Sequence, residues 1–270
     1  MLSALMKLAE KDSLMENEII IESITKKKKG YTVKTNEGTY LFDEDTLIQH
    51  TLSKNKTISK KEFDRIMEDL AFNKNFNRTI QYLKYGMRSV FEIRKYLKEE
   101  THIEKIIFKL QQLGYVDDGR LARLKMDYYY RQGKGPNYIR QKLLQIHIEN
   151  SIIEAVMQEY KENEQINIIE KQIDQASKQN KILPVAKQKQ KIYQKLLRNG
   201  FDSSTILSIL NKTVFVDESD EQLMKDLNKI WLRYENKLNQ TELKQKVYAA
   251  LLNKGYSYAK IKDAWEQLQS

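Results

Sequence analysis

The sequence predicts a mainly α-helical protein built of tandem three-helix repeats, preceded by a small β-containing N-terminal part. Three observations carry this. A phrase recurs in which a leucine pair is followed by a chain-break residue and a downstream isoleucine. It reads Leu196-Leu197-Arg198-Asn199-Gly200-Phe201 with Ile206, and again Leu251-Leu252-Asn253-Lys254-Gly255-Tyr256 with Ile261. A third copy, Leu143-Leu144-Gln145-Ile146-His147-Ile148 with Ile153, has His147 in the glycine's place. Leu144, Leu197 and Leu252 stand about 54 residues apart, the interval of a helical repeat. The second observation is that residues 18–42 break this pattern with β-branched and alternating residues. The third is that lysine and arginine concentrate on one helix of each repeat.

The N-terminal part comes first along the chain. Ile19-Ile20-Ile21 is β-branched, Tyr31, Val33 and Thr35 alternate with polar residues, and Asn36-Glu37-Gly38 forms a turn before Thr39-Tyr40-Leu41-Phe42. This predicts a small antiparallel sheet with Lys26-Lys27-Lys28-Lys29 at a hairpin tip. A solubilising tip is the plain reading of that lysine run. Asp43 caps a short helix through Leu47 and Ile48, and Ser59-Lys60-Lys61-Glu62 is a capping box for a helix reaching residue 72 or beyond. The extension is expected to end near residue 75.

The helices follow at 88–98, 102–113, 117–131, 136–147, 149–160, 163–180, 184–199, 203–212, 219–238, 241–254 and 257–268. Gly200 and Gly255 sit where a helix ends in a left-handed residue. Asp202 and Ser257 then cap the next helix, and Phe201 with Ile206, or Tyr256 with Ile261, forms a hydrophobic staple. Val116 and Leu121 repeat the staple around Asp117 after the break at Gly114. Thr101-His102-Ile103-Glu104 reads as a capping box. Pro136 and Pro184 each open a helix, where a missing N–H costs nothing. The expected division is an extension over 1–75, a first three-helix module over 76–133, a second over 134–182, and 183–270 holding a third plus a partial fourth of two helices.

The chain has 270 residues and a formal charge of +10, with 31% charged residues. It has no cysteine, which excludes disulfides, thiolate zinc sites and cysteine nucleophiles and fits a reducing cytoplasm. No apolar run reaches a membrane span, and Met1-Leu2-Ser3-Ala4-Leu5-Met6-Lys7 is interrupted too soon by charge for a secretory signal. Residues 178–198 hold seven Lys/Arg and no acid; residues 78–98 and 121–147 hold six each against Glu92 and Asp127. Lys187, Lys191, Lys195 and Arg198 fall on one helical face, with Ile192, Tyr193, Leu196 and Leu197 on the other. A basic stripe repeated along a tandem array suits a polyanion, nucleic acid first. A solvated lysine face is the plain alternative.

Catalytic and cofactor patterns are missing. No phosphate loop, dinucleotide turn, HExxH or EF-hand is present, and His50, His102 and His147 lack ligand spacing. Asp117-Asp118 is the one acid pair that could suggest metal-assisted phosphodiester chemistry, and it lies at a helix start where carboxylates cap free N–H groups. Arg131-Gln132-Gly133-Lys134-Gly135-Pro136 looks like a phosphate-cradling loop, with a corner between modules as the economical reading. Tyr128-Tyr129-Tyr130 cannot all face inward on a helix, so an exposed one beside Arg131 is a candidate for base stacking. We expect no catalytic residues, no metal and no cofactor.

Three ordered motifs resemble the RecX family, regulators of the bacterial RecA recombinase. They are Tyr82-Leu83-Lys84-Tyr85-Gly86-Met87-Arg88-Ser89 with Glu92, Ile93 and Leu97; Leu113-Gly114-Tyr115-Val116-Asp117-Asp118 with Arg120 and Ala122; and Arg131 through Pro136 with Ile139 and Leu143. With the repeat corners they cover roughly residues 78–270, and the N-terminal part looks like the extension of Gram-positive RecX proteins. Met87, Leu121 and His147 depart from the family pattern. The resemblance implies an elongated, curved rod of tandem three-helix modules that is not an enzyme. It implies binding to the RecA–DNA filament, and inhibition of RecA's recombinase, ATPase and co-protease activities by blocking filament extension or destabilising the filament. Expected partners are the RecA filament and single- and double-stranded DNA, with no membrane, for a cytoplasmic monomer. The expected contact residues are Arg78, Lys84, Arg88, Arg94, Arg120, Arg123, Arg131, Lys134, Arg140, Lys187, Lys191, Lys195 and Arg198, with Tyr128, Tyr129 and Tyr130 for stacking. The competing reading is a stand-alone helical-repeat DNA- or RNA-binding protein; a nuclease using Asp117 and Asp118 stands third.

Overall fold

The computed structural model describes residues 18–98 and 100–269, without the side chains of residues 162 and 163. The stretch Met1 to Lys7 therefore lies outside the described residues. Four strands, β1 (Glu18–Lys27), β2 (Gly30–Thr35), β3 (Gly38–Phe42) and β4 (Thr57–Ser59), form an antiparallel sheet ordered β3-β2-β1-β4. The lysine run occupies the β1–β2 tip as expected. Strand β4 was not legible, because three residues are too few to show alternation. Alternation puts Ile19, Ile21, Val33 and Phe42 on the buried face.

Thirteen helices follow among the described residues. They are α1 (Glu44–Gln49), α2 (Lys60–Leu83), α3 (Val90–Leu97), α4 (Ile103–Gln112), α5 (Asp118–Arg131), α6 (Pro136–Gln145), α7 (Asn150–Met157), α8 (Glu162–Asn180), α9 (Val185–Arg198), α10 (Ser203–Lys212), α11 (Asp220–Tyr234), α12 (Gln240–Asn253) and α13 (Tyr258–Gln269). The fold is thus mainly α with a small N-terminal antiparallel sheet. It divides into two units, one up to Asp118 and one from Gly119.

In the first unit α2 runs straight through the expected boundary near residue 75. Its first half brings Phe63 and Ile66 into the sheet's core. Its second half brings Phe72, Phe76, Ile80 and Leu83 against the core of α3 and α4, built on Ile93, Leu97, Ile106 and Leu110. One amphipathic helix therefore serves two cores, and no linker separates extension from module.

In the second unit the packing is phased one helix away from the expected grouping. Ile169, Ile173 and Ala176 of α8 share a core with Ile192 and Leu196 of α9 and with Phe201, Ile206 and Leu210. Leu223 and Leu227 of α11 share one with Leu243, Val247 and Leu251 of α12 and Ile261 and Trp265 of α13. Each core thus joins a long helix to the two that follow it. The corners were visible because they carry glycines and caps; the allegiance of the long helix was not, because it depends on contacts far apart in sequence.

The corners themselves are built as read. Gly200 and Gly255 have φ of 85° and 93°, and His147 matches them at 55°. Asp202 accepts from the Ser204 amide at 2.9 Å and Ser257 from the Lys260 amide at 3.3 Å. Phe201, Ile206, Tyr256 and Ile261 are all buried. The capping box at Thr101 is a correction. His102 holds the N-cap position with φ of 64° and makes no side-chain cap. Glu104 pairs with Arg94 instead, at 2.8 Å.

Candidate nucleic-acid interface

Helix α9 carries the basic stripe. Gln188, Ile192 and Leu196 face inward, and the Gln188 amide donates to the carbonyls of Leu183 and Val216, both at 2.8 Å. This fixes the helix's rotation and turns Lys191, Lys195 and Arg198 to solvent, with Lys187 half-buried. With Ala176, Gln179, Asn180 and Gln194 those three cations line a recess of about 280 Å³ against α8. No carboxylate lines it, and the three make no ion pair among the described residues. Lys187 donates to Gln190 at 2.9 Å. One detail departs from the expected face: Leu196 is buried, but Leu197 is 39% exposed. A larger recess of about 730 Å³ between α8 and α10 is walled by Glu170 and Asp174, which disfavours a polyanion there.

The Arg131–Pro136 loop is a corner, not a phosphate cradle. Its amides already have partners: Gly133 donates to Tyr130, Lys134 to Tyr129, Gly135 to Asn199 at 2.7 Å, and Asn137 to Gly200 at 3.0 Å. The carbonyl end of α9 therefore caps the N-terminus of α6, an arrangement the two helix dipoles favour. A Cβ on Gly200 would fall 2.2 Å from the Tyr138 nitrogen, and one on Gly135 2.5 Å from the Gly200 oxygen. Side chains reinforce the junction. Lys134 donates to Asn199, Asn199 to Gln172, and Gln172 to the Gly133 carbonyl, each at 2.8 Å.

This junction gathers expected residues with two that sequence reasoning missed, Tyr138 and Lys142. Lys134 and Lys142 both lie over the Tyr138 ring, at 5.0 and 5.4 Å from its centroid. Tyr129 meets the edge of Tyr138, and Tyr128 meets Tyr129. Of the three expected stacking residues only Tyr128 is exposed, at 55%. Burial raises the Tyr129 pKa, and a hydrogen bond to Glu164 raises that of Tyr130, so both stay neutral phenols and serve packing. Tyr130 also meets Tyr160, whose hydroxyl donates to the Lys134 carbonyl. The signal for Tyr138 was its place just inside a Pro-started helix, too weak to single out.

Most of the other expected contact residues are engaged within the protein. Arg94 pairs with Glu104, Arg123 with Glu159 at 3.0 Å and Arg140 with Glu154 at 3.0 Å. Arg78 reaches Glu100 at 3.2 Å. Arg78 and Arg88 form the outer layers of a four-layer stack. Tyr82 and Tyr96 lie parallel at 4.2 Å, with Arg88 over Tyr82 at 5.0 Å and Arg78 over Tyr96 at 5.1 Å. This stack ties the end of α2 to α3. Lys84, Arg120 and Arg131 are exposed. Asp118 serves a helix other than its own. Its carboxylate accepts from the Val90 amide at 3.0 Å and caps α3. Burial raises its pKa against the opposing pull of that amide. Among the described residues no three acidic, histidine or cysteine side chains gather as a metal site.

The regulatory protein RecX of Staphylococcus aureus strain JH9 is 32% identical over 234 residues, covering 84% of this chain and 86% of its own. This chain belongs to the RecX family. The RecX protein of strain Newman gives the same figures. The family model for the third three-helix domain of RecX matches residues 217–265, spanning α11, α12 and most of α13, the helices that share one core. A crystal structure of a regulatory protein RecX aligns with a TM-score of 0.58 at 26% identity, covering 72% of this chain and 100% of that one. Among the described residues no helix is long and apolar enough to cross a membrane.

Proposed function

We propose that this RecX-family protein binds the RecA–DNA filament as a monomer in the cytoplasm. It inhibits RecA's recombinase, ATPase and co-protease activities by blocking extension of the filament or destabilising it. It is a binding protein, not an enzyme. The observation that carries the DNA part of this reading is the α9 recess, where Lys191, Lys195 and Arg198 stand without a carboxylate. A phosphate backbone satisfies such cations by releasing its counterions. Tyr128, Lys134, Lys142 and Tyr138 extend the surface with one exposed ring for a base and two ammonium groups for phosphate. The family's regulatory name supports RecA as the target.

Each long helix with the two that follow it acts as one unit of the binding surface, so the contacts accumulate over units while each stays weak. Single- and double-stranded DNA both offer the phosphates that the recess needs. The same cations would serve a stand-alone nucleic-acid binder, and the two readings part on whether RecA is required. Titrating the protein into RecA on single-stranded DNA and following ATP hydrolysis tests the first reading directly. Anisotropy of a labelled oligonucleotide without RecA tests the second.

A further inference from the structure

The geometry points to a second binding surface, in the N-terminal unit: we propose that the groove between β3 and α2 docks an acidic peptide segment with an apolar anchor, supplied by a protein partner. The groove has a volume of about 540 Å³. Its wall is aliphatic, formed by Leu41, Met67, Leu70 and Ala71, and Lys29 and Lys74 stand at its rim. Leu41 is 57% exposed at the end of a strand that has no neighbour on its outer side among the described residues. An extended segment has room to lie beside it.

The charges say what kind of segment fits. Several other lysines of this unit are occupied. Lys34 pairs with Glu22 and Lys60 with Glu37, Lys56 donates to the carbonyls of His50 and Thr51, and Lys26 lies over Tyr31. Lys29 and Lys74 have no ion pair among the described residues. Two cations flanking an apolar wall complement carboxylates flanking an apolar side chain. Asp43, the one acid among the described residues lining the groove, is already engaged, its carboxylate accepting from the Thr46 amide at 2.7 Å to cap α1. Nucleic acid is the poorer fit. The groove has no exposed ring to stack on a base, and Asp43 would face phosphate. The α9 recess has the opposite make-up, with cations and no acid.

The test uses the full chain with neither DNA nor RecA present, so its outcome is independent of the filament reading. The probe is a fluorescein-labelled peptide, acetyl-Glu-Glu-Leu-Phe-Glu-Asp-amide, with a control in which lysines replace the acids. Anisotropy reports binding, and methyl resonances of 13C-methionine-labelled protein report Met67. We expect saturable binding that shifts Met67, no binding of the lysine peptide, and a loss of about tenfold or more in Lys29→Glu/Lys74→Glu. Leu41→Ser should weaken binding as well, while circular dichroism shows both variants folded. The proposal fails if the acidic peptide does not bind, or if it binds the folded variants as well as the native protein. It also fails if Met67 responds to a single-stranded oligonucleotide and not to the peptide, or to protein concentration alone, which would mark a contact between copies.

Discussion

Single residues carry most of the local precision of this fold, and two glycines show how differently the same conformation can be used. Gly200 and Gly255 are both left-handed, but a Cβ on Gly255 would meet the Ala186 side chain at 3.4 Å, a tolerable contact. At Gly200 it would strike the backbone of α6. Gly255→Ala should cost about 1 kcal/mol, the backbone conformation alone, whereas Gly200→Ala should cost about 4 kcal/mol. Denaturant unfolding of both variants checks this; equal losses would contradict the close approach. The left-handed role was legible in the repeated phrase, and His147 adopts it without being glycine. The approach to α6 was not legible, because the chain gives no sign of which helix a corner touches. Asp118 provides a pH test. Its raised pKa means that the charged form is the less stable one in the folded state, so its contribution is lost as pH rises through the folded pKa. Asp118→Asn keeps an acceptor for Val90 and does not ionise. Its stability relative to the native protein should therefore improve from about pH 3 to about pH 7, as read by thermal unfolding. A variant that loses ground over that range would overturn the assignment.

At the scale of elements, helix boundaries were readable from caps and periodicity, and the partnerships among helices were not. The expected α9 spans 184–199 and the observed one Val185–Arg198, yet its partner α8 was assigned to the preceding module. The basic stripe illustrates the same limit. Charge along the chain identified α9, and α9 does present three cations to solvent. The equally basic stretches holding Arg94, Arg123 and Arg140 instead form ion pairs inside their own units, because helix neighbours supply glutamates that a charge count over one helix cannot see. Changing Lys187, Lys191, Lys195 and Arg198 to glutamine should therefore flatten the salt dependence of single-stranded DNA binding by about 0.7 per lost phosphate contact. Arg94→Gln should leave it nearly unchanged. An unaltered slope in the quadruple variant would make the stripe a solvated face. The Arg88–Tyr82–Tyr96–Arg78 stack is an element-level clasp. Tyr96→Ala should destabilise the first unit by about 2 kcal/mol while leaving DNA binding by the second intact. Hydrogen exchange resolves the two, and protection lost equally in both units would show a single cooperative body.

For the whole molecule, the class of fold was legible from the spacing of the leucine phrases, and the family from three motifs in order. Those motifs turn out to be largely structural. Arg88 stacks on Tyr82, Ser89 and Glu92 form a capping box for α3, and Asp118 caps the same helix. They report the family through the residues that hold its modules together, and the proposed binding surface rests instead on exposure and charge. The proposed function stands or falls on RecA being the target of this surface. The most direct measurement is ATP hydrolysis by the cognate RecA on single-stranded DNA as this protein is titrated in. A fall in rate at substoichiometric protein is expected, because a block at a growing end or along a filament silences many subunits at once. A rate unchanged when the protein equals RecA in concentration would contradict it.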